Sequence, residues 1–169
     1  MELTRVERII LANQYRILEA LYPEDAESYA NNRKALEEGF ELHYSELFGS
    51  LSENELNSEE CREVIEILNL YRALTFSYEE LEDKSDLDEY AVMFRGFDLN
   101  DEYEGKRVIY ARYFINDLDR FEELKYGKSY AECNSHSEMM PKYRRMLDKW
   151  QKLGKSFELT KDQIISIVK

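Results

Sequence analysis

The chain has 169 residues, with 36 acidic side chains against 23 basic ones and a formal net charge of −13. A field of that sign repels phosphate backbones and anionic lipid, so a nucleic-acid partner is disfavoured and selective pairing with a basic surface is favoured. Two cysteines, Cys61 and Cys133, are too few for a disulfide framework. With no apolar run of membrane-span length and no cleavable signal segment, the expectation is a cytoplasmic protein with no membrane partner.

Residues 3 to 23, LTRVERIILANQYRILEALYP, form the first predicted element. Thr4 and Glu7 have the spacing of a capping box, which starts a helix at Arg5, and Pro23 stops it near Leu21. Its apolar positions nearly encircle the helix, so it needs neighbours on more than one side, from this chain or from another subunit. The acidic EDAE after Pro23 suits the positive end of a second helix over 24 to 38, with Gly39 as its left-handed stop. Only Ala30, Leu36 and a few other apolar groups face inward there, which makes this helix peripheral.

Asn57 and Glu60 form another capping pair, ahead of Val64, Ile67, Leu68, Tyr71, Leu74, Tyr78 and Leu81 at helical spacing. Ile65, Leu70 and Phe76 add a second apolar face, the pattern of a central helix. A long helix is expected from Asp101 to Lys125, with Val108, Ala111, Phe114, Ile115, Leu118 and Phe121 as its stripe and Gly127 as its stop. A last long helix is expected over Ser137 to Leu153, closed by Gly154, with Pro141 tolerated in the first turn.

FELHYSEL at 40 to 47 is echoed by FELTKDQI at 157 to 164, where Thr160 and Gln163 make a third capping box. The echo reads either as two short extended segments that pair or as chance similarity in a Glu- and Leu-rich chain. The length fits one compact domain or two small lobes sharing a core, and one unit over 1–169 is the reading adopted. The expected fold class is all-α, a multi-helical compact domain with at most two very short extended segments.

Several segments resemble the YfbU family of bacterial proteins: TRVERIILANQY near the start, ECREVIEILNLYRAL in the central helix, FRGFD at 94 to 98, YARYF at 110 to 114 and KYRRMLDKW at 142 to 150. These blocks run in order along nearly the whole chain. The resemblance implies a mainly helical fold, a bacterial cytosolic setting and self-association, and it carries over no catalytic residues.

Candidate chemistry must therefore be read from the residues. Cys133, His136 and Glu138 supply three ligand types for an ion such as zinc, but the fourth ligand and the second short-spaced pair of a structural site are missing. The alternative is a polar loop. DLNDEYEG at 98 to 105 fails as an EF-hand, since Tyr103 stands where glycine is required and Ile109 where the bidentate acid belongs. No GxGxxG or GxxxxGK loop is present. A cysteine hydrolase would need Cys133 activated by His136.

Asn13, Gln14 and Arg112 fall within helical stretches expected to be buried, where each needs a partner. Asp98 is a candidate to neutralise Arg112. These four residues read as a polar network fixing helix register, as simple exposure at the stripe edges, or as a weak site for a small anion. The basic run KYRRMLDKWQKLGK, centred on Lys142, Arg144, Arg145 and Lys149, reads as a solvated helix face or, alternatively, as a nucleic-acid contact. The function expected is self-association or binding of a protein partner through an interaction surface, with no catalysis and no cofactor. Ile10, together with the face carrying Tyr143, Met146 and Trp150, is the expected interface.

Overall fold

A computed structural model describes residues 2–52 and 54–169. The chain forms two compact units, Met1–Glu55 and Leu56–Lys169. The fold is all-α. Among the described residues there is no sheet, and the extended pairing is an isolated parallel bridge between Phe97 and Asn134. No described helix is long and apolar enough to cross a membrane.

In the first unit, α1 (Arg5–Leu21) begins at the expected capping box: Thr4 Oγ1 accepts from the Glu7 amide, and the Glu7 carboxylate accepts from the Thr4 amide at 2.7 Å. The Thr4 hydroxyl and amide hold the Glu7 carboxyl below its ordinary range. A 3-10 turn, Pro23–Asp25, leads into α2 (Ala26–Glu38), which ends at Gly39 with φ 80°. Arg33 lies between Glu19 of α1 and Glu37 of α2, at 2.6 and 2.9 Å. The core is small, with Ala12, Leu36 and Tyr44 buried and Leu3, Leu11, Tyr15 and Leu47 half-buried around them.

FELHYSEL is helical rather than extended: Glu41–His43 is a 3-10 turn that runs into α3 (Tyr44–Leu47). Gly39 and Phe40 both donate to the Ala35 carbonyl, at 3.0 and 2.8 Å. This closure of α2 through a left-handed glycine sends the chain straight into the next turn and leaves no room for a strand.

The second unit is built around α4 (Ser58–Glu80), central as its two-sided pattern predicts. Val64, Ile67, Leu68, Leu70, Tyr71, Ala73 and Leu74 are fully buried. A short helix, α5 (Glu89–Val92), precedes the FRGFD segment. The long helix expected over Asp101 to Lys125 is instead broken into α6 (Gly105–Arg112), a π-helical turn (Tyr113–Asp117) and a 3-10 turn (Glu122–Lys125). Leu118 donates to the Tyr113 carbonyl and Arg120 to the Phe114 carbonyl, which closes the helix. Asp119 and Phe121 then take left-handed φ of 48° and 57°. Leu118 stays exposed, while Phe121 reaches the core through the turn rather than along a helix stripe.

α7 (Met140–Lys152) carries Pro141 in its first turn as expected, and α8 (Lys161–Val168) starts at the Thr160 and Gln163 capping box. Ser77 of α4 ties down the segment between them, donating to the Phe157 carbonyl and accepting from the Leu159 amide. The FRGFD segment crosses the 131–136 loop closely: Phe97 donates to the Cys133 carbonyl at 3.0 Å, and Ser135 donates back to Phe97 at 2.9 Å.

Gly96 makes that crossing feasible. Its φ is 85°, and a Cβ there would stand 2.0 Å from the Cys133 carbonyl carbon. Gly96→Ala is therefore expected to destabilise the second unit by about 3 kcal/mol or more, from backbone strain plus a clash that no side-chain rotation relieves. A chemical-denaturation curve followed by Trp150 fluorescence reads it, and an unchanged midpoint would refute the crossing.

Candidate functional site

α1 uses only one side of its apolar surface inside the first unit. Ala12 is buried and Leu11, Tyr15 and Leu18 are partly buried, whereas Val6, Ile9, Ile10, Ile17 and Leu21 are all more than half exposed, Val6 at 66% and Ile10 at 53%. Val6, Ile10, Asn13, Ile17 and Ala20 alternate at steps of four and three. That is the seam spacing of a coiled coil, with Asn13 as the single polar residue at its middle. Asn13 and Gln14, expected to be buried, are in fact exposed on this outer face.

The second expected contact face is not on the surface. Tyr143, Met146 and Trp150 are at most 2% exposed and belong to the core of the second unit. Tyr143 packs edge-on against Tyr71 and Phe97 at 5.4 and 5.5 Å between ring centres and donates its hydroxyl to the Gly96 carbonyl at 2.7 Å. Burial pushes its phenol well above the ordinary value. Trp150 Nε1 donates to the Ser156 carbonyl at 2.7 Å. Trp150→Ala is accordingly expected to cost about 3–5 kcal/mol of stability as a core cavity, not to act on assembly. Thermal unfolding followed by far-UV circular dichroism checks it, and an unshifted Tm would contradict the assignment.

Arg112 is partly exposed, and its Nε donates to the Glu132 carbonyl at 2.7 Å. Asp98, its expected counter-ion, instead accepts from the Asn100 amide at 2.9 Å in a local turn. Cys133 is buried, while His136 and Glu138 are exposed. Burial raises the Cys133 thiol to about 12, so an activated nucleophile is not favoured there. Among the described residues no three His, Cys, Asp or Glu side chains are placed to hold a metal ion. On the basic run, Arg144 pairs with Glu63 at 2.6 Å, Lys149 donates to the Ser166 carbonyl and Lys152 pairs with Asp148. Much of its charge is spent within the second unit.

Sequence reasoning missed the buried ionic residues. Glu104 is fully buried, and its carboxylate accepts from the amides of Asp98 at 2.8 Å, Met139 at 2.8 Å and Met140 at 2.6 Å. It thereby caps the amino end of α7, where negative charge is favoured. Arg107, 1% exposed, donates to the Tyr103 carbonyl and to Glu60 at 3.0 Å, with Glu63 at 3.6 Å, and its guanidinium lies 3.9 Å from the Tyr103 ring centre. Glu60 is the same carboxylate that closes the α4 capping box; the Asn57 amide and Arg107 hold it below its ordinary range. The signal was present: stepping the stripe Val108, Ala111, Ile115 back one turn lands on Glu104 and Arg107. The YfbU domain matches residues 1–169, and the chain belongs to the YfbU family.

Proposed function

We propose that this protein works by self-association, with α1 as the seam between two copies. The observation that carries the reading is the exposed four-three run of Val6, Ile10, Asn13, Ile17 and Ala20, flanked by Ile9 and Leu21. Such a run is complementary to a second copy of itself, and one polar residue at its centre favours registers that set it beside a polar partner, at some cost in stability. The helix has 17 residues, about 25 Å at 1.5 Å each, enough for two heptads of contact.

The first unit also gains stability from the contact. Its buried core is Ala12, Leu36 and Tyr44, and a core of that size contributes little toward offsetting the conformational entropy of the chain that must be ordered. Covering the outer face of α1 adds apolar burial to that small core. The net negative charge of the chain opposes bringing two copies together, and the seam keeps that cost low because it carries no charge of its own.

Asn13 lies at the midpoint of the seam, so a two-fold pairing of either sense sets it beside its own copy. Asn13→Cys should form a covalent dimer on mild oxidation, faster than the control Glu27→Cys on α2. Equal and slow cross-linking of both variants would reject the seam.

A further inference from the structure

The second unit contains a cavity of about 390 Å³ between the 90–95 segment, the Glu122–Lys125 turn and the 131–136 loop. That size falls within the range of small-molecule sites. Phe94, Leu124, Ala131 and Cys133, all buried, supply an apolar floor. Around the mouth stand Arg95, Lys125 and Lys128 against one carboxylate, Glu132. In a chain of net charge −13 this is a local reversal of sign.

We infer that this cavity binds a small organic anion, with a ring-sized apolar body on Phe94 and Leu124 and a carboxylate or phosphate held by Arg95 and Lys128. Both cations are exposed at the rim, so they meet the anion without the penalty of a buried unpaired charge. Lys125 is paired with Asp119 at 3.2 Å, so the charge offered to the anion comes from Arg95 and Lys128.

One wall of the cavity is built before any ligand arrives. Asn116 donates to the Ala131 carbonyl and accepts from the Ala131 amide, at 3.0 and 2.9 Å, so its side chain mimics a strand partner. Arg112 holds the Glu132 carbonyl and Phe97 holds that of Cys133. A loop fixed at three successive residues loses little freedom on binding. Tyr126, Cys133 and His136 line the cavity with left-handed φ of 49°, 49° and 55°. Strain of that kind, kept at non-glycine residues, concentrates at ligand sites. The FRGFD segment and the loop carrying Cys133 and His136 thus meet at one place, as a binding wall rather than a reaction centre.

Fluorine NMR titration of the intact chain tests this with three probes: 4-fluorobenzoate, 4-fluorophenyl phosphate and the neutral 4-fluorobenzyl alcohol. At least one anion should bind saturably and the alcohol about tenfold or more weakly, since charge selects the ligand. Whichever anion binds more tightly identifies the headgroup. Arg95→Glu combined with Lys128→Glu should weaken that binding about tenfold or more, while Lys34→Glu with Lys169→Glu, equal in net charge, should leave it unchanged. Circular dichroism of both double variants confirms that the fold persists. The inference fails if neither anion saturates up to about 10 mM, if the alcohol binds equally well, or if both double variants behave alike.

Discussion

Ile10→Asp is expected to reduce the particle to a single chain without unfolding it. Ile10 is 53% exposed and lies outside the first unit's buried core, so the substitution opens no cavity in that core. In a two-fold seam the change counts twice: each copy loses apolar burial and places a carboxylate against its partner's aliphatic side chains. Lost burial and carboxylate desolvation together weaken association by about 3 kcal/mol or more, roughly a hundredfold or more in Kd. Light scattering at fixed concentration reads the mass and circular dichroism the helicity. Unchanged mass with helicity intact would remove Ile10 from any interface.

Glu104→Ala should produce one of the larger losses of stability among single changes in the second unit. Three backbone amides, those of Asp98, Met139 and Met140, would lose their acceptor inside the protein. An unsatisfied buried donor costs about 1–3 kcal/mol, and the cavity adds to this, so a total of about 4 kcal/mol is expected. Glu104→Gln keeps one carbonyl oxygen and should lose about half as much. Trp150, the sole tryptophan, is buried in the same unit and reports its unfolding in urea. Equal stability of Glu104→Ala and the parent would show that the carboxylate does not cap α7.

Local signals in the sequence were reliable where one short-range mechanism decided the outcome. The Thr4/Glu7, Asn57/Glu60 and Thr160/Gln163 boxes each start a helix, because both hydrogen bonds form within four residues. Gly39 ends α2 for the same kind of reason. The central place of α4 was legible too, since a helix apolar on two faces needs neighbours on both. The break after Arg112 was not, because the stripe through Phe114 and Leu118 continues at helical spacing while Asn116, engaged by Ala131, and the turn through Asp119 and Phe121 divert the chain. The Phe97 and Asn134 bridge is too short for strand alternation to register.

The two expected interfaces show what periodicity alone leaves open. Both α1 and α7 carry an apolar stripe, and a stripe states only that something covers it. On α7 the cover is the protein's own core, reached by Tyr143, Met146 and Trp150; on α1 the outer stripe faces solvent. The anionic-site reading shifted in a similar way. Arg112 was picked for its place in a helix expected to be buried, yet it serves the loop backbone, and the buried arginine is Arg107.

Self-association through α1 accounts for an exposed, uncharged, heptad-spaced face on a unit with little core of its own. Sedimentation equilibrium of the unmodified chain across the micromolar range is its most direct test. The account predicts a mass twice that of the 20.3 kDa chain, falling to the single-chain value for Ile10→Asp. A single-chain mass for the parent at every concentration would contradict it.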